Sequence, residues 1–198
     1  MKRICKKDIA RLVASVVNPF LVCTVLLFLV LLENTDSLAE SIQWFIFSIA
    51  ISVVPVFLII LYLVKLHKVD DIFITVRNQR SKVYAVAVSL VGIDCTVMFF
   101  SDAPLMLVAL FLTFFLTGLV FAIVNRWWKI SIHTAAITIA VIALFVLYGQ
   151  KSAVAVVLVP LVAWSRVEIK HHSIPQVIFG GVLAGLIILL VYSLFDLV

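Results

Sequence analysis

The chain has 198 residues, 65% of them hydrophobic and 13% charged, with a mean hydropathy of +1.29 and a formal net charge of +5. The apolar residues lie in long blocks, which excludes a water-soluble globular domain and a disordered segment and predicts a single-domain, all-α, multi-pass membrane protein. The net positive charge reads as membrane topology and attraction to lipid headgroups, with no nucleic-acid partner expected.

In chain order, "MKRICKKDIARLVASVV" has the basic flank of a signal peptide. Its apolar stretch is too long and lacks a small-residue cleavage site, so it predicts an uncleaved first helix. The expected spans are 9–32, 42–64, 83–100 and 103–125, followed by shorter stretches at 132–149, 152–164 and 176–195. At roughly 1.5 Å per residue the first four and the last can each cross about 30 Å of hydrocarbon. Residues 152–164 need Ser165, Arg166 and their neighbours to reach the surface. Six to seven crossings follow, with two N-terminal helices in 1–64. Pro19, Pro55 and Pro160 fall inside spans and predict kinks. Cys5, Cys23 and Cys95 have no C-x-x-C spacing, so neither a disulfide framework nor a zinc site is expected.

Seven crossings place the N-terminus, 65–82, 126–131 and 165–174 on one side, with every Lys and Arg except Lys151. Glu33, Asp36, Glu40 and Asp102 fall on the other. Cytoplasmic loops carry the excess of Lys and Arg, so the basic side is expected to be cytoplasmic. Basic residues that bind an anionic substrate would mimic this signal, but Lys2, Arg3, Lys6, Lys7 and Arg11 point the same way.

Three polar islands share that side: "KLHKVDDIFITVRNQRSK" (65–82), "NRWWKISIHT" (125–134) and "WSRVEIKHHSIPQ" (164–176). On composition they are cytoplasmic loops whose basic residues and tryptophans anchor helix ends at the headgroups. Their spacing carries more. Ser165-Arg166, five residues, His172, three residues and Gln176 resemble the third signature of the type 2 phosphatidic acid phosphatase superfamily, S-R-x5-H-x3-D, with Gln176 replacing aspartate. "KISIHT" resembles the second, P-S-G-H, retaining Ser131 and His133 while Ile130 and Ile132 replace proline and glycine. The first signature, K-x6-R-P, is absent as such. "DDIFITVRNQR" resembles instead a bacterial and archaeal variant in which an aspartate precedes R-x-x-R, here Asp71, Arg77 and Arg80. The resemblance runs from about residue 65 to the end, with the islands in the expected order.

That resemblance implies a metal-independent lipid phosphatase without a cofactor. His172 would attack phosphorus and form a phosphohistidine, and His133 would serve as acid and then base. Arg166 with Arg77 or Arg80 would clamp the phosphate, since guanidinium matches phosphate in a bidentate fork. Lys129, Ser131 and the backbone N–H groups of a helix beginning near Ile132 would add to the anion site. If 170–178 is helical, Gln176 lies on the face of His172 and its amide oxygen can accept Nδ1–H. Asp71 and Ser165 would support the site. His171 is expected at the surface, His67 at the interface, and Asp94, an ionisable group inside a span, has no partner legible in the sequence. The substrate class is a phosphorylated membrane lipid: phosphatidate, phosphatidylglycerophosphate or an isoprenyl (di)phosphate. A headgroup phosphotransferase on the same fold and a lipid-binding protein without turnover remain the alternatives, and the sequence leaves the oligomeric state open.

Overall fold

A computed structural model describes residues 5–67 and 77–198, with side chains for 5–67 and 85–198. Asp71 lies outside the described residues, and Arg77 and Arg80 are described as backbone only, in the first turn of a helix. Every regular element among the described residues is helical: α1 (Lys6–Val16), α2 (Pro19–Asn34), α3 (Leu38–Ser48), α4 (Val54–Lys65), α5 (Arg77–Phe100), α6 (Leu105–Val124), α7 (Ile132–Tyr148), α8 (Leu158–Glu168) and α9 (Ile174–Leu194). A π-helical turn, Ile49–Val53, joins α3 to α4, and a 3₁₀ segment, Gly149–Val157, joins α7 to α8.

Among the described residues, four helical stretches are long and apolar enough to cross a membrane: Leu38–Lys65, Leu105–Val124, Ile132–Glu168 and Ile174–Leu194. A fifth exists if α1 and α2, bent by 43° from one another, form one span. The outer face of α9 presents Phe179, Val182, Leu186, Leu190 and Leu194, an apolar exterior suited to lipid.

Of the five prolines, the three expected inside spans each stand where the regular α-helix is interrupted. Pro19 is the first residue of α2, Pro55 lies in the first turn of α4 directly after the π-helical turn, and Pro160 lies in the first turn of α8 after the 3₁₀ segment. Proline lacks an N–H, so Pro19 stands without loss at the start of α2, where the chain bends by 43°, while Pro55 and Pro160 stand where a π-helical turn and a 3₁₀ segment alter the pitch of continuous helical stretches.

The chain divides into two compact units, Met1–Leu29 with Ile130–Val198, and Val30–Lys129. In the first unit α7 packs along α9 and α8 packs on α1 and α7. Gly149 takes φ +58 at the end of α7, a left-handed conformation natural to glycine, and the chain turns back there. The reversal is visible in the packing. Val162 is buried against Ile137 and Val141, residues that a straight helix would hold roughly 30–40 Å away from it. The expected spans 132–149 and 152–164 are thus the two limbs of one bent helical stretch.

α9 then runs parallel to α7. A Cβ on Gly180 would meet Ser131 and Thr134, one on Gly181 would meet Thr138, and one on Gly185 would meet Thr138 and Ile142, so contacts advance in the same direction on both helices. Up, back and up again, the unit brings the start of α7, the end of α8 and the start of α9 to one end.

In the second unit α5 packs against α6 in the opposite sense, with Gly92 against Phe115 and Gly118 against Val88. The turn before α3 is closed by Ser37, whose Oγ accepts the Glu40 N–H at 3.2 Å, while the Glu40 carboxylate accepts the Asp36 N–H at 3.0 Å. These reciprocal bonds satisfy N–H groups that the first helical turn leaves without backbone partners.

Candidate functional site

The end of the first unit where three helix termini meet carries most of the residues singled out by the motifs. α8 closes with a tight turn. Lys170 adopts φ +59, and the Arg166 carbonyl accepts both the His171 N–H at 3.1 Å and the His172 N–H at 3.2 Å. A left-handed residue after a helix turns the chain sharply and lets the next amides bond back to the last turn. Arg166 and His172, six positions apart, are joined through this turn. Arg166 is 8% exposed and His172 is 7% exposed.

His172 does not belong to a helix. α9 begins at Ile174 with Ser173 as its N-cap, so the expected helical face over 170–178 is not what aligns His172 with Gln176. The two meet through the helix cap. Gln176 sits in the first turn and its Oε1 reaches back to accept the Ser173 N–H at 3.1 Å. The same oxygen lies 3.3 Å from His172 Nδ1.

That double contact makes His172 Nδ1 a donor by hydrogen-bond logic. The backbone N–H of Ser173 is a donor only, so the Gln176 atom facing it must be the carbonyl oxygen. An oxygen facing Nδ1 is an acceptor, so Nδ1 carries the hydrogen, and in the neutral ring Nε2 carries the lone pair.

The start of α7 is fixed to the start of α9 by the backbone. The Ser131 N–H donates to the Gln176 carbonyl at 3.2 Å. Ser131 is fully buried as the N-cap of α7, and its Oγ accepts the Thr134 N–H at 3.4 Å. α7 begins at Ile132, as the anion-site expectation requires, and half-buried His133 lies in its first turn. The positive ends of the α7 and α9 dipoles thus lie side by side, an arrangement that favours an anion.

Ser165, expected to support the site, is fully buried inside α8, and its hydroxyl donates to the Val162 carbonyl at 2.8 Å. Lys129 is half-buried and belongs to the second unit, Val30–Lys129. Among the described residues no group of three or more His, Cys, Asp or Glu side chains is placed to hold a metal ion.

His171 gains a contact that sequence spacing does not give it. His171 is exposed, as expected of a surface residue, yet its Nδ1 lies 3.0 Å from Arg166 Nη2. Asn125, at the C-terminal end of α6 in the second unit, is 1% exposed, and neither its Oδ1 nor its Nδ2 has a hydrogen-bond partner among the described residues. The only sequence signal for Asn125 is its position at the head of the second polar island. Asp94, inside α5, is 2% exposed, with Oδ2 unpartnered among the described residues.

Compared with known proteins, the chain matches no family model, no curated protein and no solved structure.

Proposed function

We propose that this chain is a membrane lipid phosphatase that hydrolyses a lipid phosphate monoester or isoprenyl (di)phosphate through a phosphohistidine, as its resemblance to the type 2 phosphatidic acid phosphatase superfamily implies. The observation that carries the proposal is the hydrogen bond between His172 Nδ1 and Gln176 Oε1, which leaves Nε2 as the nucleophilic atom of an imidazole anchored to Arg166.

A phosphate monoester repels nucleophiles because its oxygens are negative. The Arg166 guanidinium neutralises them, and the N-termini of α7 and α9 add their partial positive charge. His172 Nε2 then attacks phosphorus, the phosphorus–alkoxide bond breaks, and His133 supplies the proton that the leaving alkoxide needs. In the second step His133, now neutral, takes a proton from water, and the hydroxide attacks phosphorus. The phosphorus–nitrogen bond breaks, releasing inorganic phosphate and regenerating His172. Gln176 holds the ring in the attacking tautomer throughout. Its neutral amide stabilises the imidazolium character of the intermediate less than a carboxylate would.

Six to seven crossings, with the N-terminus and the site on the cytoplasmic side, complete the proposal and would place His172 at the headgroups of the inner leaflet. The direct test is phosphate release from micellar phosphatidate, phosphatidylglycerophosphate and isoprenyl phosphates by the purified chain. Release that disappears in His172→Ala and in His133→Ala supports the proposal. Equal release by wild type and His172→Ala refutes it.

A further inference from the structure

The geometry points to His171 as a positioning residue that aims the Arg166 guanidinium through a neutral Nδ1 acceptor, a role that rests on the phosphatase reading above. The observation is the 3.0 Å contact between Arg166 Nη2 and His171 Nδ1. Arginine has five N–H donors and no acceptor, and it keeps its proton in proteins. The ring nitrogen facing it must therefore present a lone pair. His171 is accordingly neutral in this arrangement, with its hydrogen on Nε2, the opposite tautomer to that of His172 next to it in the chain.

The turn makes the contact possible. With Lys170 at φ +59, the chain doubles back so that the amides of both histidines bond to the Arg166 carbonyl. The His171 ring thereby returns over the side chain of the residue whose carbonyl holds its backbone. His172 is buried while His171 is exposed, so the paired histidines divide between two tasks. One ring is sequestered with Gln176, and the other stands at the rim and holds the arginine.

A planar fork on a three-carbon stem loses rotamer freedom when it binds a phosphate. Fixing one edge of the fork in advance removes part of that loss and sets the plane in which the remaining edges meet the anion. The required property of residue 171 is thus an uncharged acceptor at the position of Nδ1. Asparagine offers its Oδ1 there, alanine offers nothing, and lysine offers a donor and a positive charge that repels the guanidinium.

The test compares wild type with His171→Asn, His171→Ala and His171→Lys in detergent micelles. It measures phosphatidate hydrolysis, inhibition by orthophosphate, and the imidazole tautomer by ¹⁵N NMR. Expected are near wild-type KM and phosphate inhibition for the asparagine variant. Phosphate inhibition should weaken about threefold to tenfold for alanine, and by more than tenfold for lysine. KM should rise in the same order, kcat should change less than KM, and thermal stability should be similar throughout. In wild type the His171 Nδ1 should be unprotonated, and its ¹⁵N shift should move on loss of the hydrogen bond in Arg166→Leu. An active wild type with equal phosphate inhibition in all three variants, or with Nδ1 protonated, overturns this inference alone. A wild type that neither hydrolyses any lipid phosphate nor binds orthophosphate overturns the phosphatase reading and this inference with it.

Discussion

Gly180 lies so close to Ser131 that a Cβ at this position would stand 2.6 Å from the Ser131 carbonyl oxygen and 2.8 Å from Thr134 Oγ1. Backbone cannot yield as a side chain can, so the seam between α7 and α9 is tightest one helical turn from Gln176. The next contacts relax in steps. A Cβ on Gly181 would meet the Thr138 hydroxyl at 3.1 Å, and one on Gly185 would meet Thr138 Cγ2 at 3.4 Å, an ordinary van der Waals distance.

Gly180→Ala should therefore push the start of α9 off α7, destabilising the fold by about 1–3 kcal/mol and lowering turnover by roughly tenfold or more, since small misplacements of reacting groups are costly. Gly185→Ala should be close to neutral in both. Melting in detergent and phosphate release from the two variants check the gradient. Equal effects at the two positions would mean that the seam does not set the site.

Gln176 serves two neighbours, so its variants should separate along two readouts. Gln176→Leu removes the acceptor for His172 Nδ1 and for the Ser173 N–H. It should cost about 0.5–2 kcal/mol of stability through the lost cap, and turnover should fall with little change in KM. Gln176→Glu keeps the side-chain length, preserves both acceptors and adds charge beside the imidazole, so kcat should hold or rise. Gln176→Asp is one methylene shorter and should recover less, although aspartate is the residue the superfamily signature carries. A leucine variant with full turnover would leave Gln176 as a helix cap alone.

The pairing of His172 with Gln176 was legible in the sequence because both lie in one short motif, but the physical reason differs from the helical face that the spacing implies. Ser173 stops the helix short, and the contact is made by the cap. The pairing of Arg166 with His171 was not legible. It depends on a left-handed Lys170, and lysine, unlike glycine or asparagine, gives no signal for that conformation. The glycines of α9 are silent for another reason, because their spacing acquires meaning only once α7 is known to lie parallel beside them. Apolar blocks located the helices well. They also placed the reversal between 149 and 152, but they could not show that Val162 packs on Ile137 and Val141 across it, because hydropathy does not name contact partners.

Hydrolysis should survive chelation. Two imidazoles supply nucleophile, acid and base in the proposed cycle, and arginine supplies the charge, so each step is complete without a divalent ion. Activity in excess EDTA should equal the untreated rate. Loss of activity with EDTA, restored by one specific ion, would place the chemistry elsewhere.

Orientation can be read from the native thiols. Cys5 is exposed beside the basic N-terminal segment, whereas Cys23 and Cys95 are partly buried within apolar helices. With Cys23 and Cys95 replaced by alanine, Cys5 should be shielded from an impermeant maleimide in sealed cells, and a cysteine at exposed Asp36 should react. The reverse pattern would move the substrate pool to the outer leaflet.

The account stands or falls on the covalent intermediate at His172. The chain, mixed rapidly with phosphatidate labelled in its phosphate and quenched in alkali, should carry acid-labile, alkali-stable phosphate on the peptide containing His172. His133→Ala should slow both the appearance and the loss of that label, because protonation of the alkoxide and activation of water both pass through His133. His172→Ala should carry none and release none. Phosphate release that continues in His172→Ala, with no phosphohistidine in the wild type at any time during turnover, would contradict the account.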